Sequence, residues 1–184
     1  DLRAVVAAIR LARAKGKPVL WGLGGHVIKV GLAPVLTDLM RRGYVNGVAM
    51  NGAALVHDFE IALVGNTSED VEAVLGRGEF GMAEETGLYL NEIAVGAARS
   101  GIGMGEAAGK LLTNRRLRAK HLDYSVLAEA YRLRIPVTVH LARMPEGEWV
   151  CLDSTTRTRE EGTGLTETLL WDARGVIGRG LQTL

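Results

Sequence analysis

Two clusters of small and polar residues could carry the chemistry of this chain. The first is Trp21-Gly22-Leu23-Gly24-Gly25-His26, at the end of a short apolar run. Glycine lets the backbone come close to a ligand, and the free N–H groups at a helix start favour anions. The spacing departs from the dinucleotide-binding pattern G-x-G-x-x-G, because Val27 occupies the last glycine position. This cluster therefore fits either a ligand-binding turn or a close contact between a strand and a helix.

The second cluster, Asn51-Gly52-Ala53, follows the next apolar run along the chain. In a parallel sheet the carboxyl ends of adjacent strands lie at one edge, and ligands of such sheets bind there. We therefore expect both clusters to line one crevice that holds a small, nucleotide-like ligand. The predicted cofactor-binding residues are Gly24, Gly25, His26, Asn51, Gly52 and Ala53.

Titratable side chains stand directly behind the second cluster. His57 and Glu60 are three residues apart, so on a helix they share a face and could bind a metal or move protons. The alternative is a polar helix face that faces water. Because no second group of ligands occurs at metal-binding spacing, no metal site is predicted. His57 and Asp58 remain candidates for catalysis.

Two further charged groups invite a functional interpretation. Glu84 and Glu85 open a predicted helix, where acidic residues complement the helix dipole or bind a cationic substrate. The basic group that follows a later helix has no interleaved aromatic residues, which favours a solvated helix end over a nucleic-acid site. Its members are Arg115, Arg116, Arg118, Lys120 and His121.

The elements that must position these residues alternate between helix and strand up to about Val137. Predicted helices cover residues 2–15, 53–64, 83–99, 105–119 and 125–134, with another from about Leu32 and a short one from Ser68. Predicted strands cover 18–23 and 44–50, and a third begins at Ile135. Such alternation predicts an α/β fold, with a mostly parallel sheet and helices on both faces.

The pattern changes to a period of two from Glu148 onward. Strands are predicted at 148–157, 164–171 and 176–184, with turns at 160–162 and 172–175. This predicts a C-terminal antiparallel β-meander. We therefore expect two segments, residues 1–140 and residues 141–184.

Composition excludes several classes of protein. Hydrophobic residues make up 47% of the 184 residues, charged residues 23%, and the formal net charge is +1, as in an ordinary globular protein. No apolar run approaches the roughly 20 residues of a membrane span. The single cysteine, Cys151, fits a reducing compartment. We expect a cytoplasmic protein with no nucleic-acid or membrane partner.

Residues 2–140 resemble the deoxyhypusine synthase family, particularly its bacterial deoxyhypusine-synthase-like branch. The matching motifs occur in the same order along the chain: Gly24-Gly25-His26-Val27-Ile28-Lys29-Val30-Gly31, Asn51-Gly52-Ala53-Ala54 with Asp58-Phe59, Gly78-Glu79-Phe80, Gly87 through Asn91-Glu92, Ser125-Val126 and Ile135-Pro136-Val137. The resemblance implies a Rossmann-like sheet, bound NAD, a polyamine substrate and a homo-oligomer with sites at dimer interfaces. It also implies transfer of an aminobutyl group to a lysine.

The chain departs from this family at two places. Val56 and His57 stand where the eukaryotic enzymes have two glutamates, and the segment with the family's catalytic lysine has no counterpart. We therefore expect a transferase by ancestry that binds NAD and lacks the catalytic lysine.

The tail, residues 138–184, resembles the C-terminal strands of hot-dog acyl-CoA thioesterases. The resemblance rests on Glu148-Trp149-Val150-Cys151-Leu152-Asp153 and on Gly178-Arg179-Gly180-Leu181-Gln182-Thr183-Leu184. Gln182 falls where that family often places an active-site glutamine. Two alternatives to the NAD-binding transferase therefore stand: a thioesterase-like hydrolase fragment, and a non-catalytic fusion of two families.

Overall fold

The computed structural model describes residues 1–67, 84–115, 117–139, 151–158 and 164–183. The chain divides into two compact units, Asp1–Val139 and His140–Leu184. Within the described ranges, no helix is both long and apolar enough to cross a membrane.

The first unit is built on a parallel sheet of three short strands. These are β1 (Leu20–Leu23), β2 (Gly47–Met50) and β3 (Val137–Val139), in the order β1-β2-β3. Leu20 pairs with Gly47, and Val48 pairs with Val137. The predicted parallel sheet with its helices is confirmed.

Seven α-helices are described in this unit: α1 (Leu2–Ala14), α2 (Gly25–Lys29), α3 (Ala33–Arg41), α4 (Gly52–Val64), α5 (Glu84–Ser100), α6 (Met104–Leu112) and α7 (Val126–Leu133). A 3₁₀ turn covers Leu122–Tyr124. Side chains define several helix ends. Asn51 caps α4 by accepting a hydrogen bond from Ala54 N, and Ser125 caps α7 by accepting one from Ala128 N. Gly65, at φ +87°, ends α4 in the left-handed conformation.

Two predicted helix boundaries are wrong. The sequence predicts a loop from the end of β1 to about Leu32, yet this segment contains the five-residue helix α2. Helix α6 ends at Leu112 rather than at residue 119, and the Thr113 hydroxyl donates to the carbonyl oxygens of Gly109 and Lys110 at 2.9 and 3.1 Å. The Gly109 carbonyl also accepts from Thr113 N at 3.1 Å, so both the backbone and the side chain of Thr113 bond to carbonyl groups of the last helical turn. The short helix predicted from Ser68 lies outside the described residues.

The core of the first unit packs the sheet against the helices. Among its largest fully buried side chains are Phe59, Ile28, Met50, Leu112 and Leu127. Small residues bring α6 into close contact with its neighbours. A Cβ atom at Gly105 would lie 2.5 Å from Val137 O, and one at Gly109 would lie 2.6 Å from Leu127 O. Helix α6 therefore packs tightly against β3 and α7.

The second unit contains an antiparallel meander of β4 (Cys151–Thr158), β5 (Gly164–Asp172) and β6 (Gly175–Thr183). Cys151 pairs with Trp171, and Thr166 pairs with Gln182. The turn at 172–175 forms as predicted: Asp172 Oδ1 accepts from Arg174 N at 2.8 Å, and Gly175 has φ +121°. The meander is confirmed, while the predicted turn at 160–162 lies outside the described residues.

Candidate functional site

The two glycine-containing clusters lie side by side at the carboxyl edge of the parallel sheet. Asn51 N donates a hydrogen bond to Leu23 O at 3.4 Å. A Cβ atom at Gly24 would lie 3.9 Å from Asn51 Nδ2. Because Asn51 Oδ1 accepts from Ala54 N at 2.9 Å, the amide directs its N–H₂ group toward Gly24. The ends of β1 and β2 are therefore adjacent, and the surface where Gly24 meets Asn51 is called the crevice below.

The neighbouring glycines of the first cluster have different surroundings. Gly25 is buried, and a Cβ atom there would lie 2.9 Å from Ala53 Cβ and 3.2 Å from His57 Cδ2. Gly25 is thus required for the close packing of α2 on α4. Gly24 and His26 are exposed, and Gly24 has an ordinary extended backbone (φ −101°, ψ 170°). Gly24 is therefore the glycine that leaves room at the crevice.

His57 and Glu60 form a hydrogen-bonded pair on α4. His57 Nδ1 lies 3.3 Å from Glu60 Oε2, and the Thr86 hydroxyl of α5 donates to Glu60 Oε1 at 3.1 Å. The Glu60 side chain is only 7% exposed, whereas that of His57 is 24% exposed. A buried carboxylate thus holds one edge of a partly accessible imidazole, an arrangement that suits proton transfer.

Asp58, the next residue on α4, contacts a different part of the molecule. Its fully buried carboxylate accepts hydrogen bonds from Ser125 Oγ at 2.6 Å, Val126 N at 2.7 Å and Leu127 N at 3.1 Å. Burial raises the pKa of Asp58 to about 6, although these three hydrogen bonds oppose the shift. Asp58 therefore fixes the first turn of α7 to α4 and does not share surroundings with His57.

The predicted substrate-binding residues, Glu84 and Glu85, are exposed at the start of α5. Thr86, the next residue, is buried and contacts Glu60. Sequence reasoning missed Thr86 and Ser125 as partners of the acidic residues on α4. Ser125 precedes a predicted helix, which is the usual signal of a helix cap, whereas no local pattern distinguishes Thr86.

An ion pair joins two other helices of the unit. Arg41 of α3 donates to both carboxylate oxygens of Glu129 on α7, at 2.8 and 3.0 Å. The hydrogen bond from Arg41 holds the pKa of the Glu129 carboxyl below its usual range. Both residues lie outside the two clusters, so this pair stabilises the fold.

Two open cavities lie near the amino ends of β1 and β2, whereas the crevice lies at their carboxyl ends. The larger, about 360 Å³, is lined by Arg10, Arg13, Ala14 and Tyr44, and the smaller is about 260 Å³. The smaller is lined by residues that precede β1 and β2, including Lys17, Pro18 and Asn46. Because α/β sheets bind ligands at the carboxyl ends of their strands, the crevice has the stronger claim as the functional site. Among the described residues, no three His, Cys, Asp or Glu side chains are grouped to hold a metal ion.

Comparison with known proteins gives one family match, in the C-terminal part of the chain, and similar solved structures. Residues 134–184 match the model of the acyl-CoA thioesterase C-terminal domain. Similar solved structures include a putative deoxyhypusine synthase from Entamoeba histolytica, 15% identical, with a TM-score of 0.47. The alignment covers 66% of this chain and 41% of that one.

Another similar structure is ArgZ, an arginine dihydrolase from the cyanobacterial ornithine–ammonia cycle. It is 23% identical, with a TM-score of 0.47, over 74% of this chain and 17% of that one. A comparison with curated proteins returns no match. The chain thus spans less than half the length of either solved structure.

Proposed function

We propose that the first unit binds NAD in the crevice between the Gly24 and Asn51 clusters, as a deoxyhypusine-synthase-like transferase by ancestry. The observation that carries the proposal is the contact of the two clusters at the carboxyl edge of the parallel sheet. Exposed Gly24 leaves space for a pyrophosphate, and Asn51 Nδ2 supplies a hydrogen-bond donor beside it. Since the family's catalytic lysine has no counterpart in this chain, the proposal concerns binding rather than turnover.

Calorimetry with NAD⁺ tests this proposal directly. Binding stabilises the native state by about 2.7 kcal/mol at a ligand concentration of 100 Kd, so the melting temperature should rise with NAD⁺. Gly24→Val fills the crevice, and the extended backbone of Gly24 accepts any residue, so this variant should fold and bind at least about tenfold more weakly. Gly22→Ala is the matched control, because nothing lies within 4 Å of its added Cβ. The absence of heat at millimolar NAD⁺ would exclude the proposal, as would normal binding by Gly24→Val.

The substrate that fits the exposed acidic pair is a polyamine. Glu84 and Glu85 place two carboxylates next to Thr86, which itself contacts Glu60. Titration with spermidine should therefore show weaker binding by the double variant Glu84→Gln/Glu85→Gln than by Glu92→Gln, which alters an exposed residue of the same helix. Equal affinities would remove this assignment.

The unit also has an apolar surface suited to self-association into a homo-oligomer. Leu2, Val5 and Leu11 of α1 are each more than half exposed. Sedimentation velocity should show a mass above that of the 19.7 kDa chain, and Val5→Lys/Leu11→Lys should lower it. A monomeric wild-type chain would contradict this part of the proposal.

The family match at 134–184 favours one second candidate, hydrolysis of acyl-CoA thioesters by the C-terminal segment. Gln182, opposite Thr166 in the meander, is its candidate catalytic residue. Release of free CoA from a panel of acyl-CoA substrates should be lost in Gln182→Ala and retained in Thr155→Ala, which alters an exposed side chain of β4. If the wild-type chain releases no CoA, this candidate is removed.

A further inference from the structure

His57 links the crevice to a buried carboxylate. On α4, Ala53 and His57 are four residues apart and Glu60 is three residues further, so the three side chains share one helix face. We call these three residues the α4 stripe. Toward its start, Gly25 of α2 packs on Ala53 and on the Cδ2 edge of His57. Toward its end, Thr86 of α5 contacts Glu60. The stripe thus runs from the crevice to the interior.

The two edges of the His57 ring have different neighbours. Nδ1 faces the buried Glu60 carboxylate at 3.3 Å, whereas Cδ2, which is bonded to Nε2, lies against Gly25. A carboxylate accepts hydrogen bonds and donates none, so it holds the imidazole proton on Nδ1. Nε2 then keeps its lone pair. Among the described residues, nothing donates to Nε2, and the side chain is 24% exposed.

Thr86 holds the carboxylate in place. Its hydroxyl donates to Glu60 Oε1 while His57 occupies Oε2, so both oxygens of a carboxylate that is only 7% exposed are engaged. A fixed carboxylate stabilises a positive charge on the neighbouring imidazole. The three side chains have the geometry of a nucleophile-activating or substrate-activating base with its orienting group.

We propose that His57 is the proton acceptor of the crevice, taking a proton through Nε2 from an O–H or N–H group of the bound substrate, with Glu60 and Thr86 as positioning residues. The Nε2 lone pair forms the new N–H bond, and the electrons of the broken O–H or N–H bond stay on the substrate atom. Glu60 remains ionised and pairs with the imidazolium. This inference rests on the proposed NAD-binding crevice, because His57 is assigned to face a substrate that binds there beside NAD.

The tautomer of His57 provides the first test, on the full chain without ligand. In a two-bond ¹H–¹⁵N spectrum of the neutral imidazole, assigned with His57→Gln, the proton should reside on Nδ1. A proton on Nε2 would overturn the proposal. This measurement needs no variant of the buried residues, so it remains decisive if such variants fail to fold.

Acylation by diethyl pyrocarbonate, located by peptide mass spectrometry, provides the second test, because the reagent attacks an unprotonated imidazole nitrogen. Measured at alkaline pH, where imidazoles are unprotonated, Glu60→Gln removes the charge that makes Nε2 a stronger base and should slow acylation of His57 by about tenfold, the factor that a charge-assisted hydrogen bond is worth. Thr86→Val should slow it less. Glu92→Gln, the surface control on α5, should react like wild type. An unchanged rate in Glu60→Gln would overturn the proposal.

Acylation in the presence of NAD⁺ distinguishes the role of His57 from the binding of NAD itself. Where calorimetry shows NAD⁺ binding, NAD⁺ should also protect His57 from acylation, and binding without protection would overturn the placement of His57 at the crevice. If NAD⁺ releases no heat, the NAD proposal fails. The tautomer and the Glu60→Gln rate then decide whether His57 is an activated base.

Discussion

At the scale of single residues, His57 and Asp58 have different tasks although they are adjacent on α4. His57 lies between Gly25 and Glu60, at the edge of the crevice. Asp58 is buried against the first turn of α7, where it accepts three hydrogen bonds. A helix turns by about 100° per residue, so two adjacent residues contact different parts of the molecule. Of these two candidates on α4, the geometry leaves His57 available to a ligand.

Replacing Asp58 by alanine should destabilise the chain by about 3 kcal/mol or more, because Ser125 and two backbone N–H groups lose a buried acceptor. Ser125→Ala, which removes the cap of α7, should cost about 1–2 kcal/mol. Asp38→Asn changes an exposed ion pair with Arg42 and should stay within about 0.5 kcal/mol of wild type. Urea denaturation measures all three. A wild-type midpoint for Asp58→Ala would show that another group fixes α7.

The raised pKa of Asp58 predicts a specific pH dependence of stability. The folded chain binds this proton with a pKa of about 6, against an ordinary value of 3.8. The stability that Asp58 contributes is therefore present in full below about pH 3.8 and is lost as the pH rises through 6. At about 1.36 kcal/mol per pKa unit, the loss is about 3 kcal/mol.

Glu129 acts in the opposite direction, since Arg41 lowers its pKa and its contribution is lost as the pH falls. Asp58→Asn, which cannot titrate at this position, isolates the Asp58 effect. The free energy of unfolding of wild type, relative to Asp58→Asn, should be larger at pH 4 than at pH 7. A pH-independent difference would contradict the shift.

At the scale of elements, glycine spacing decides how closely α6 packs. A Cβ atom at Gly109 would lie 2.6 Å from both Leu127 O and Tyr131 Cβ. Because a backbone oxygen cannot move away freely, Gly109→Ala should cost about 1–3 kcal/mol. Gly96→Ala is the matched control: Gly96 is exposed on α5 with nothing within 4 Å, so alanine should gain about 0.5–1 kcal/mol there. Thermal unfolding that ranks the two variants in the other order would refute this packing.

Local patterns were sufficient to predict most elements of the first unit. The apolar runs before Gly24 and Asn51 predicted β1 and β2, because buried parallel strands are apolar on both faces. Helix α2 was missed because five residues are too few to show helical periodicity, and its position depends on the contact between Gly25 and Ala53. The end of α6 depends on the Thr113 hydroxyl. Both features arise from contacts that residue type alone does not reveal.

The candidate site shows the same division between local and distant contacts. The spacing of His57 and Glu60 predicted their shared helix face, because three residues make nearly one turn. Thr86 and Ser125 lie 26 and 67 residues from their acidic partners, Glu60 and Asp58. Such contacts follow from helix packing, which short-range patterns do not encode. The acidic residues can therefore be identified from the sequence, whereas their hydrogen-bond partners can be identified only from the structure.

At the scale of the whole molecule, the junction between the two units lies beside a strand that belongs to the first. β3 pairs with β2 in the parallel sheet, and Val137 is buried in the core. The match to the thioesterase domain begins at residue 134, so it overlaps the end of the first unit. β3 thus completes the parallel sheet of the first unit and also lies within the range that matches the thioesterase domain.

The buried apolar residues of the first unit pack on one another in one core, which predicts that this unit folds alone. A fragment of residues 1–139 should show one cooperative urea transition.

A shorter fragment, residues 1–136, lacks β3 and exposes the surface of α6 that packs on Val137. Losing this strand should lower the free energy of unfolding by at least about 3 kcal/mol, through lost apolar burial and lost backbone hydrogen bonds. Circular dichroism during urea titration compares the two fragments. An unfolded 1–139 fragment would show that the first unit depends on the C-terminal residues, and equal stability of the two fragments would show that β3 is dispensable.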